Sequence, residues 1–250
     1  MIDSHAHVEM CEGTPAEVVG RALAAGVTRI LTIALNSAGF AETLAIAEQH
    51  DAVFAAVGWH PNETTGFGDT QLAEIETAAA HPRVRAIGET GLDFFRESAP
   101  PADQRRAFLA QIALAAKLQL PLSIHARAAE AEVMDLLEEH ANDVPGVVLH
   151  CFSQPDLIDR AIGAGFFCSF AGNVTFKNAP ELREAAARVP DDLLLVETDA
   201  PFLAPQPVRG QRNEPAYVKM TAELLAEVRG TTYAALEAQV ESNAAKLFQW

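Results

Sequence analysis

The feature that most constrains the fold of this 250-residue chain is a regular alternation of short apolar runs with longer amphipathic stretches. The runs are rich in β-branched residues, and Ala-rich stretches with helical periodicity separate them. This alternation is typical of repeated strand–helix units, which assemble into parallel sheets. The eight runs are MIDSH from Met1, VTRILTIAL from Val27, VFAAVGW from Val53, VRAIGE from Val84, LPLSIH from Leu120, VVLH from Val147, GFFCSF from Gly165 and LLLVETD from Leu193.

The stretches between the runs have the spacing of helices with one buried face. Over 103–118, for example, Phe108, Ile112 and Ala115 recur at intervals of three or four. Two further helices are predicted over 215–229 and 232–248. Eight such units form either a closed barrel or an open doubly wound sheet. No GxGxxG or phosphate-binding loop follows any run, and barrels of this type have roughly 250 residues. We therefore predict an α/β fold, a TIM (β/α)8 barrel, in a single domain over 1–250.

Charge and composition narrow the functional classes. The formal net charge of −16 argues against tight, non-specific binding to duplex DNA, which needs many cations. It leaves phosphate-ester chemistry open, because bound metal ions reverse the local field. The first residues, MIDSHAHVEM, lack the basic and apolar segments of a signal peptide, and no apolar run is long enough to span a membrane. We expect a cytoplasmic protein with no membrane association.

Side chains that can bind metal ions fall at the carboxyl ends of these runs. Since all strand ends of a parallel barrel meet at one face, where active sites are built, these side chains should converge there. His5 and His7 are two apart on one strand, so both imidazoles point to the same side and can chelate one ion. The complete set of strand-end candidates is His5, His7, His60, Glu89, His125, His150 and Asp199.

A two-ion arrangement accounts for this set. Glu89 lies in the segment GETG at 88–91, whose glycines allow close backbone approach. Its carboxylate can bridge two cations, with His125 and His150 completing the second site and Asp199 returning to the first. Imidazole and carboxylate ligands suit Zn²⁺, Mn²⁺ or another first-row ion better than Ca²⁺. Mg²⁺ stays an alternative.

The ordered motifs resemble one family over nearly the whole chain. IDSHAH, VGWHP, IGETGLDF, IHAR, LHCFS, VTFKNA and ETDAPFLAP followed by RGQRNEPAYV are similar to those of TatD-type deoxyribonucleases of the metal-dependent hydrolase superfamily. HxH is common across the superfamily, whereas GETGLD, HCFS and ETDAP with RNEP are specific to this branch. Phe94 departs from the Tyr of many relatives, and Gln154 from their Gly. Glu89 stands in place of the carbamylated lysine expected of other branches.

The resemblance implies a TIM barrel that hydrolyses phosphodiesters in DNA, from a single-stranded 3′ end. It implies that His60, in GWHP, contacts the substrate phosphate. It also implies two divalent ions (Mg²⁺, Mn²⁺ or Zn²⁺) held by His5, His7, Glu89, His125, His150 and Asp199.

The expected mechanism uses water activated by the two cations. Asp199 is the expected general base, beside the bridging Glu89, and His60 donates to the phosphate or the leaving oxygen. Cationic side chains after the strands are expected to contact phosphates by charge-assisted hydrogen bonds. These are Arg127, Lys177, Arg209 and Arg212.

Two alternatives remain at this stage. A hydrolase of the same fold could act on an amide, lactone or aminoacyl ester, because activated water attacks carbonyl carbon and phosphorus alike. A non-catalytic metal-binding protein is the second alternative, although structural zinc sites are usually closed and Cys-rich. The sequence gives no indication of an obligate protein partner.

Overall fold

The computed structural model of the protein describes residues 1–96 and 98–250. Its centre is one eight-stranded sheet in which every neighbouring pair is parallel and the strand order follows the chain. The strands are β1 (Ile2–Ala6), β2 (Arg29–Ala34), β3 (Val53–Val57), β4 (Val84–Asp93), β5 (Leu122–Arg127), β6 (Val147–Leu149), β7 (Phe167–Phe170) and β8 (Leu194–Val196). Each strand overlaps one of the eight predicted runs, and β1, β4 and β5 continue beyond the carboxyl end of theirs.

The last strand returns to the first and closes the sheet. Ala6 and Ala200 form a parallel bridge. The backbone N–H of His7 donates to the carbonyl of Ala200 at 2.8 Å, and that of Asp199 donates to the carbonyl of His5 at 2.9 Å. A doubly wound sheet would leave its first and last strands apart. The predicted TIM barrel is therefore confirmed, and the open sheet is excluded.

Helices connect the strands throughout the described part of the chain. The α-helices are α1 (Pro15–Ala24), α2 (Ser37–Gln49), α3 (Asp69–Ala79), α4 (Pro101–Leu118), α5 (Glu130–His140), α6 (Ile158–Gly163), α7 (Pro180–Arg188), α8 (Val218–Val228) and α9 (Tyr233–Phe248). The predicted helix over 215–229 begins as a 3₁₀ turn, Pro215–Tyr217, before α8. None of the described helices is long and apolar enough to cross a membrane.

The helices begin where the sequence supplies N-terminal caps. The Thr14 hydroxyl accepts from the Glu17 backbone N–H, and the Glu17 carboxylate accepts from the Thr14 N–H, which satisfies two unpaired donors of α1. Pro101 begins α4, because a first-turn position needs no N–H. This helix therefore starts before residue 103, where the apolar pattern begins.

The strands are buried between the barrel interior and the helices. All five residues of β3 are buried, and α4 packs Phe108, Ile112 and Ala115 into the core. Strands covered on both sides in this way read as continuous apolar runs. Cys11 and Cys168 are buried, Cys151 is half-buried, and all three are free thiols. Against this apolar background, buried histidines and carboxylates at the strand ends mark a site.

Candidate metal centre

Five histidines and two carboxylates meet at the mouth of the barrel. Glu89 lies at the centre of this group, and its two carboxylate oxygens face different imidazoles. Oε2 lies 3.5 Å from His5 Nε2 and 3.8 Å from His7 Nε2. Oε1 lies 2.7 Å from His125 Nδ1 and 3.0 Å from His150 Nε2. A carboxylate placed in this way has one oxygen available to each of two neighbouring cations.

The ligand atoms form three overlapping groups, in each of which all atoms lie within 4.8 Å of one another. In the group that contains His5 and His7, the Asp199 carboxylate lies 3.7 Å from His7 Nε2. The three groups are His5–His7–Asp199, His5–Glu89–His150 and His60–Glu89–His125. All seven strand-end residues are therefore brought together.

The second nitrogen of most of these imidazoles is held by an acceptor outside the cluster. His7 Nδ1 donates to the carbonyl of Ile33 at 3.2 Å. His150 Nδ1 lies 3.1 Å from the Glu197 carboxylate. A proton held on one nitrogen by such a partner leaves the lone pair of the other directed into the site. In each of these two rings, Nε2 is therefore the nitrogen directed into the site, in position to bind an ion.

His125 and His5 complete this pattern in different ways. His125 Nε2 lies 3.1 Å from the Asp93 carboxylate, so its Nδ1 is the nitrogen directed at Glu89. His5 Nδ1 lies 3.2 Å from the Ser123 hydroxyl. Its buried Nε2 has no hydrogen-bond partner among residues 1–96 and 98–250. Because an unpartnered buried nitrogen is costly, His5 Nε2 fits an ion better than an empty contact.

His60 has the opposite arrangement. Its Nδ1 accepts the backbone N–H of Asn62 at 3.1 Å. The neutral ring therefore carries its proton on Nε2, which lies 3.6 Å from Glu89 Oε1. This nitrogen is a donor rather than a lone-pair ligand, so His60 has the form of a group that binds an anion.

Burial sets the protonation of His7, His60 and Asp199. It lowers the pKa of His7 to about 3 and that of His60 to about 4, so both rings are neutral near pH 7. It raises the pKa of the Asp199 carboxyl to about 7. A carboxyl with a pKa near neutrality can both hold and release a proton under ordinary conditions.

Glu89 and its nearest imidazoles form a charged group. Burial disfavours the carboxylate, but the charge of His150 and the hydrogen bonds from His125 and His150 prevail and hold the pKa of Glu89 well below its usual range. Burial likewise disfavours protonated His150, but Glu89 and Glu197 raise the pKa of that imidazole well above its usual value. The anionic Glu89 thus attracts positive charge at the point where two cations would meet.

The backbone around Glu89 allows the close packing that the site needs. Gly88 and Gly91 have φ angles of +151° and +140°. A Cβ at Gly91 would lie 1.9 Å from the carbonyl oxygen of His125, and one at Gly88 would lie 2.6 Å from that of Ser123. Only glycine fits at either position. The predicted close approach of the backbone in GETG is confirmed.

Two supporting residues escape sequence reasoning. Glu197 is fully buried, and its Oε1 lies near His150 Nδ1 and accepts from the Cys151 N–H at 2.9 Å. Ser123 contacts His5 from β5. Glu197 could have been predicted from its spacing to Asp199, since residues two apart in an extended segment share a side. No signal identifies the serine.

Of the four predicted cationic contacts, Arg127 is the last residue of β5 and the other three lie on loops after strands; all four are outside the ligand cluster. The guanidinium of Arg127 lies 3.9 Å from the centre of the Phe95 ring, and that of Arg209 lies 3.7 Å from that of Phe176. Arg212 donates to the carbonyl of Met10 at 3.0 Å. Lys177 is exposed in the turn that follows the 3₁₀ helix Gly172–Thr175.

Comparisons with known proteins, by sequence and by structure, all find similarity to TatD-related proteins over nearly the whole chain. The sequence model of the family described as "TatD related DNase" matches residues 2–249. The metal-dependent hydrolase TatD of Mycobacterium tuberculosis is 42% identical over 91% of this chain and 90% of its own length. The 3′–5′ ssDNA/RNA exonuclease TatD of Cronobacter sakazakii is 36% identical over 93% and 90%. The structure of the TatD homologue YJJV of Escherichia coli K12 superposes with a TM-score of 0.93, at 29% identity, over 100% of this chain and 98% of its own.

Proposed function

Because this chain belongs to the TatD-related deoxyribonuclease family of metal-dependent hydrolases, we propose that it is a 3′–5′ exonuclease that hydrolyses phosphodiester bonds of single-stranded DNA. The observation that carries the proposal is the position of Glu89, whose two oxygens face separate sets of imidazoles. An exonuclease named among the relatives supports the choice of bond and of polarity. We also propose that residues 1–250 act as one domain.

Two divalent ions would be shared by the six proposed ligands. His5, His7 and Asp199 would hold one ion, and His125 and His150 the other, with Glu89 common to both. When bound, the ions would act as Lewis acids that make water nucleophilic and offset the charge on the phosphate. Zn²⁺, Mn²⁺ and Mg²⁺ are all compatible with this donor set.

Asp199 is the proposed general base. Burial places its pKa at about 7, so the carboxylate can take a proton from the attacking water as the new P–O bond forms. The bond that breaks joins phosphorus to the 3′ oxygen of the preceding nucleotide. The products are a 5′-mononucleotide and a strand shortened by one residue, which ends in a 3′ hydroxyl.

His60 is the proposed donor to the substrate. Its Nδ1 accepts the Asn62 N–H, so Nε2 carries the proton that would be donated to a phosphate oxygen or to the departing 3′ oxygen. The proximity of His60 Nε2 to Glu89 Oε1, 3.6 Å, supports a contact with a phosphate bound at the ions.

The substrate is proposed to enter as a single strand. The chain carries 34 acidic against 18 basic residues, which disfavours long-range attraction of a duplex. Four cationic residues follow or end strands, by contrast, and we propose that they supply positive charge at the mouth: Arg127, Lys177, Arg209 and Arg212. Local cations combined with an acidic exterior favour a strand end that reaches into the mouth.

The experiment follows single-stranded DNA labelled at its 5′ end, incubated with chelator-treated protein to which Mg²⁺, Mn²⁺ or Zn²⁺ is returned. A ladder of shortened, still-labelled products that requires an ion is expected. Asp199→Ala should lower kcat by about 10²- to 10⁴-fold, whereas the exposed control Asp192→Ala, before β8, should not. Duplex DNA and RNA of the same sequence provide the comparison of substrates.

Two outcomes would overturn the proposal. One is normal turnover by Asp199→Ala, which would remove the assigned base. The other is an absence of shortening with every ion, from protein that binds metal and hydrolyses a cyclic amide, lactone or aminoacyl ester. That result would identify the protein as a carbonyl hydrolase of the same fold.

A further inference from the structure

Two phenylalanines at the barrel mouth are unusually exposed. Phe95 is 65% exposed and Phe202 is 48% exposed, whereas Phe108, Phe170 and Phe248 are fully buried. An apolar ring left in water forgoes roughly 1.5–3 kcal/mol of burial free energy. Both rings lie on loops that directly follow strands of the metal centre. Exposed aromatic rings beside a candidate site are available to contact a substrate there.

Phe202 is attached to the Asp199 side of the site. Its backbone N–H donates to the carbonyl of Asp199 at 2.8 Å. The centre of its ring lies 6.1 Å from that of His7, with an interplanar angle of 73°. The ring therefore borders the candidate centre directly, in the first turn after residues that bear ligands.

Phe95 is attached to the His125 side. Its backbone N–H donates to Asp93 Oδ1 at 3.0 Å, and Asp93 Oδ2 lies 3.1 Å from His125 Nε2. The guanidinium of Arg127, the last residue of β5, lies 3.9 Å from the centre of the Phe95 ring. A cation is thereby held against an exposed π surface.

The topology places these two rings on opposite sides of the centre. Phe95 follows β4, and its ring contacts Arg127 at the end of β5. Phe202 follows β8, which neighbours β1 in the closed barrel. In a closed barrel of eight strands, the β4–β5 pair and the β8–β1 pair lie diametrically opposite each other. The proposed ligands lie between them, so a strand bound across those ligands would meet one ring before the scissile phosphate and the other after it.

We propose that Phe202 and the Phe95–Arg127 pair are stacking subsites for the two nucleobases that flank the scissile phosphodiester. This inference rests on the proposed function and adds to it a means of holding the strand. Aromatic faces stack on any base, and a nearby guanidinium adds a contact to phosphate, which together bind single strands with little sequence preference. Paired bases of a duplex have no free face to offer, so the same rings favour single-stranded ends.

The test uses labelled oligothymidylates in which the base is missing from the 3′-terminal or from the penultimate nucleotide. The measured quantity is the ratio of kcat/KM for the base-bearing end to that for each abasic end. Phe202→Ala and Phe95→Ala should each lower this ratio about 5- to 100-fold, one at each of the two positions. Phe202→Trp should retain the wild-type ratio. Leu23→Ala, which changes a 51%-exposed apolar residue on α1, is the matched control and should also retain it.

The outcomes separate this inference from the proposed function. Cleavage by the wild type, with the base preference kept in both Phe→Ala variants, would overturn the stacking subsites alone. If those variants also changed the sedimentation coefficient of the protein, the rings would be assigned to a protein contact instead. A wild-type protein that shortens no oligonucleotide would overturn the proposed function and this inference with it.

Discussion

Replacing Glu197 with Gln would test whether the residues behind the candidate ligands tune metal binding. Glu197 is fully buried. Its Oε1 lies 3.1 Å from His150 Nδ1 and accepts from the Cys151 N–H at 2.9 Å. A carboxylate in this position orients the imidazole and increases the basicity of the nitrogen that faces Glu89. Gln keeps the size and one acceptor oxygen but removes the charge.

The expected effect can be worked out as a free energy. Loss of such a partner weakens metal affinity about 10- to 100-fold, and because Gln retains an acceptor we expect about tenfold. At an ion concentration about 100 times the wild-type Kd, binding stabilises the fold by about 2.7 kcal/mol, and a tenfold weaker site gives about 1.4 kcal/mol. A chain of this length changes its Tm by about 2–4 °C per kcal/mol. The metal-induced rise in Tm should therefore shrink by about 3–5 °C.

The assay combines calorimetric titration of Mn²⁺ into chelator-treated protein with thermal unfolding in the presence and absence of the ion. Glu184→Gln removes the same charge from an exposed position on α7 and serves as the control. Glu197→Ala should weaken metal affinity by close to 100-fold, the upper end of the expected range, because it also leaves the Cys151 N–H unpaired. Wild-type affinity and an undiminished metal-induced rise in Tm for Glu197→Gln would refute the reasoning.

Two further predictions concern the backbone and His60. Gly91→Ala should lower the free energy of unfolding by at least about 3 kcal/mol in chemical denaturation, because the new Cβ would overlap the carbonyl of His125 at 1.9 Å. Gly163→Ala, with no atom within 4 Å of the new Cβ, is its control, and equal stability of the two variants would contradict the argument. His60→Gln should lower kcat by about 10²- to 10⁴-fold while the metal content per chain stays at the wild-type value. Loss of one ion per chain on dialysis would instead make His60 a ligand.

Sequence reasoning succeeds where one-dimensional pattern determines three-dimensional position. The eight apolar runs identify the strands because a strand buried on both sides needs apolar residues throughout. The ligand candidates follow from the strand ends, since a parallel barrel brings those ends to one face. His5 and Asp199, far apart in the chain, are grouped correctly for this reason alone.

It fails where the partner of a side chain depends on distant packing. Glu214 lies two residues after Arg212 in the sequence, but its carboxylate pairs with Arg21 at 2.6 Å, across 193 positions. Which nitrogen of His60 carries the proton depends on the Asn62 N–H, a contact set by a tight turn. Arg127 and Arg209 lie on aromatic rings that no local pattern associates with them.

The contact between β1 and the segment after β8, which closes the barrel, affects the order in which the protein can fold during synthesis. His5 and His7 lie at the start of the chain, and their partners across this contact lie far downstream. Asp3, for example, accepts the N–H of Thr198, 195 positions away. Translation must therefore proceed past β8 before Asp199 can join His5 and His7. The proposed ligands of the first ion are incomplete until then, so we expect its binding to coincide with closure of the barrel and to stabilise the contact between β1 and β8.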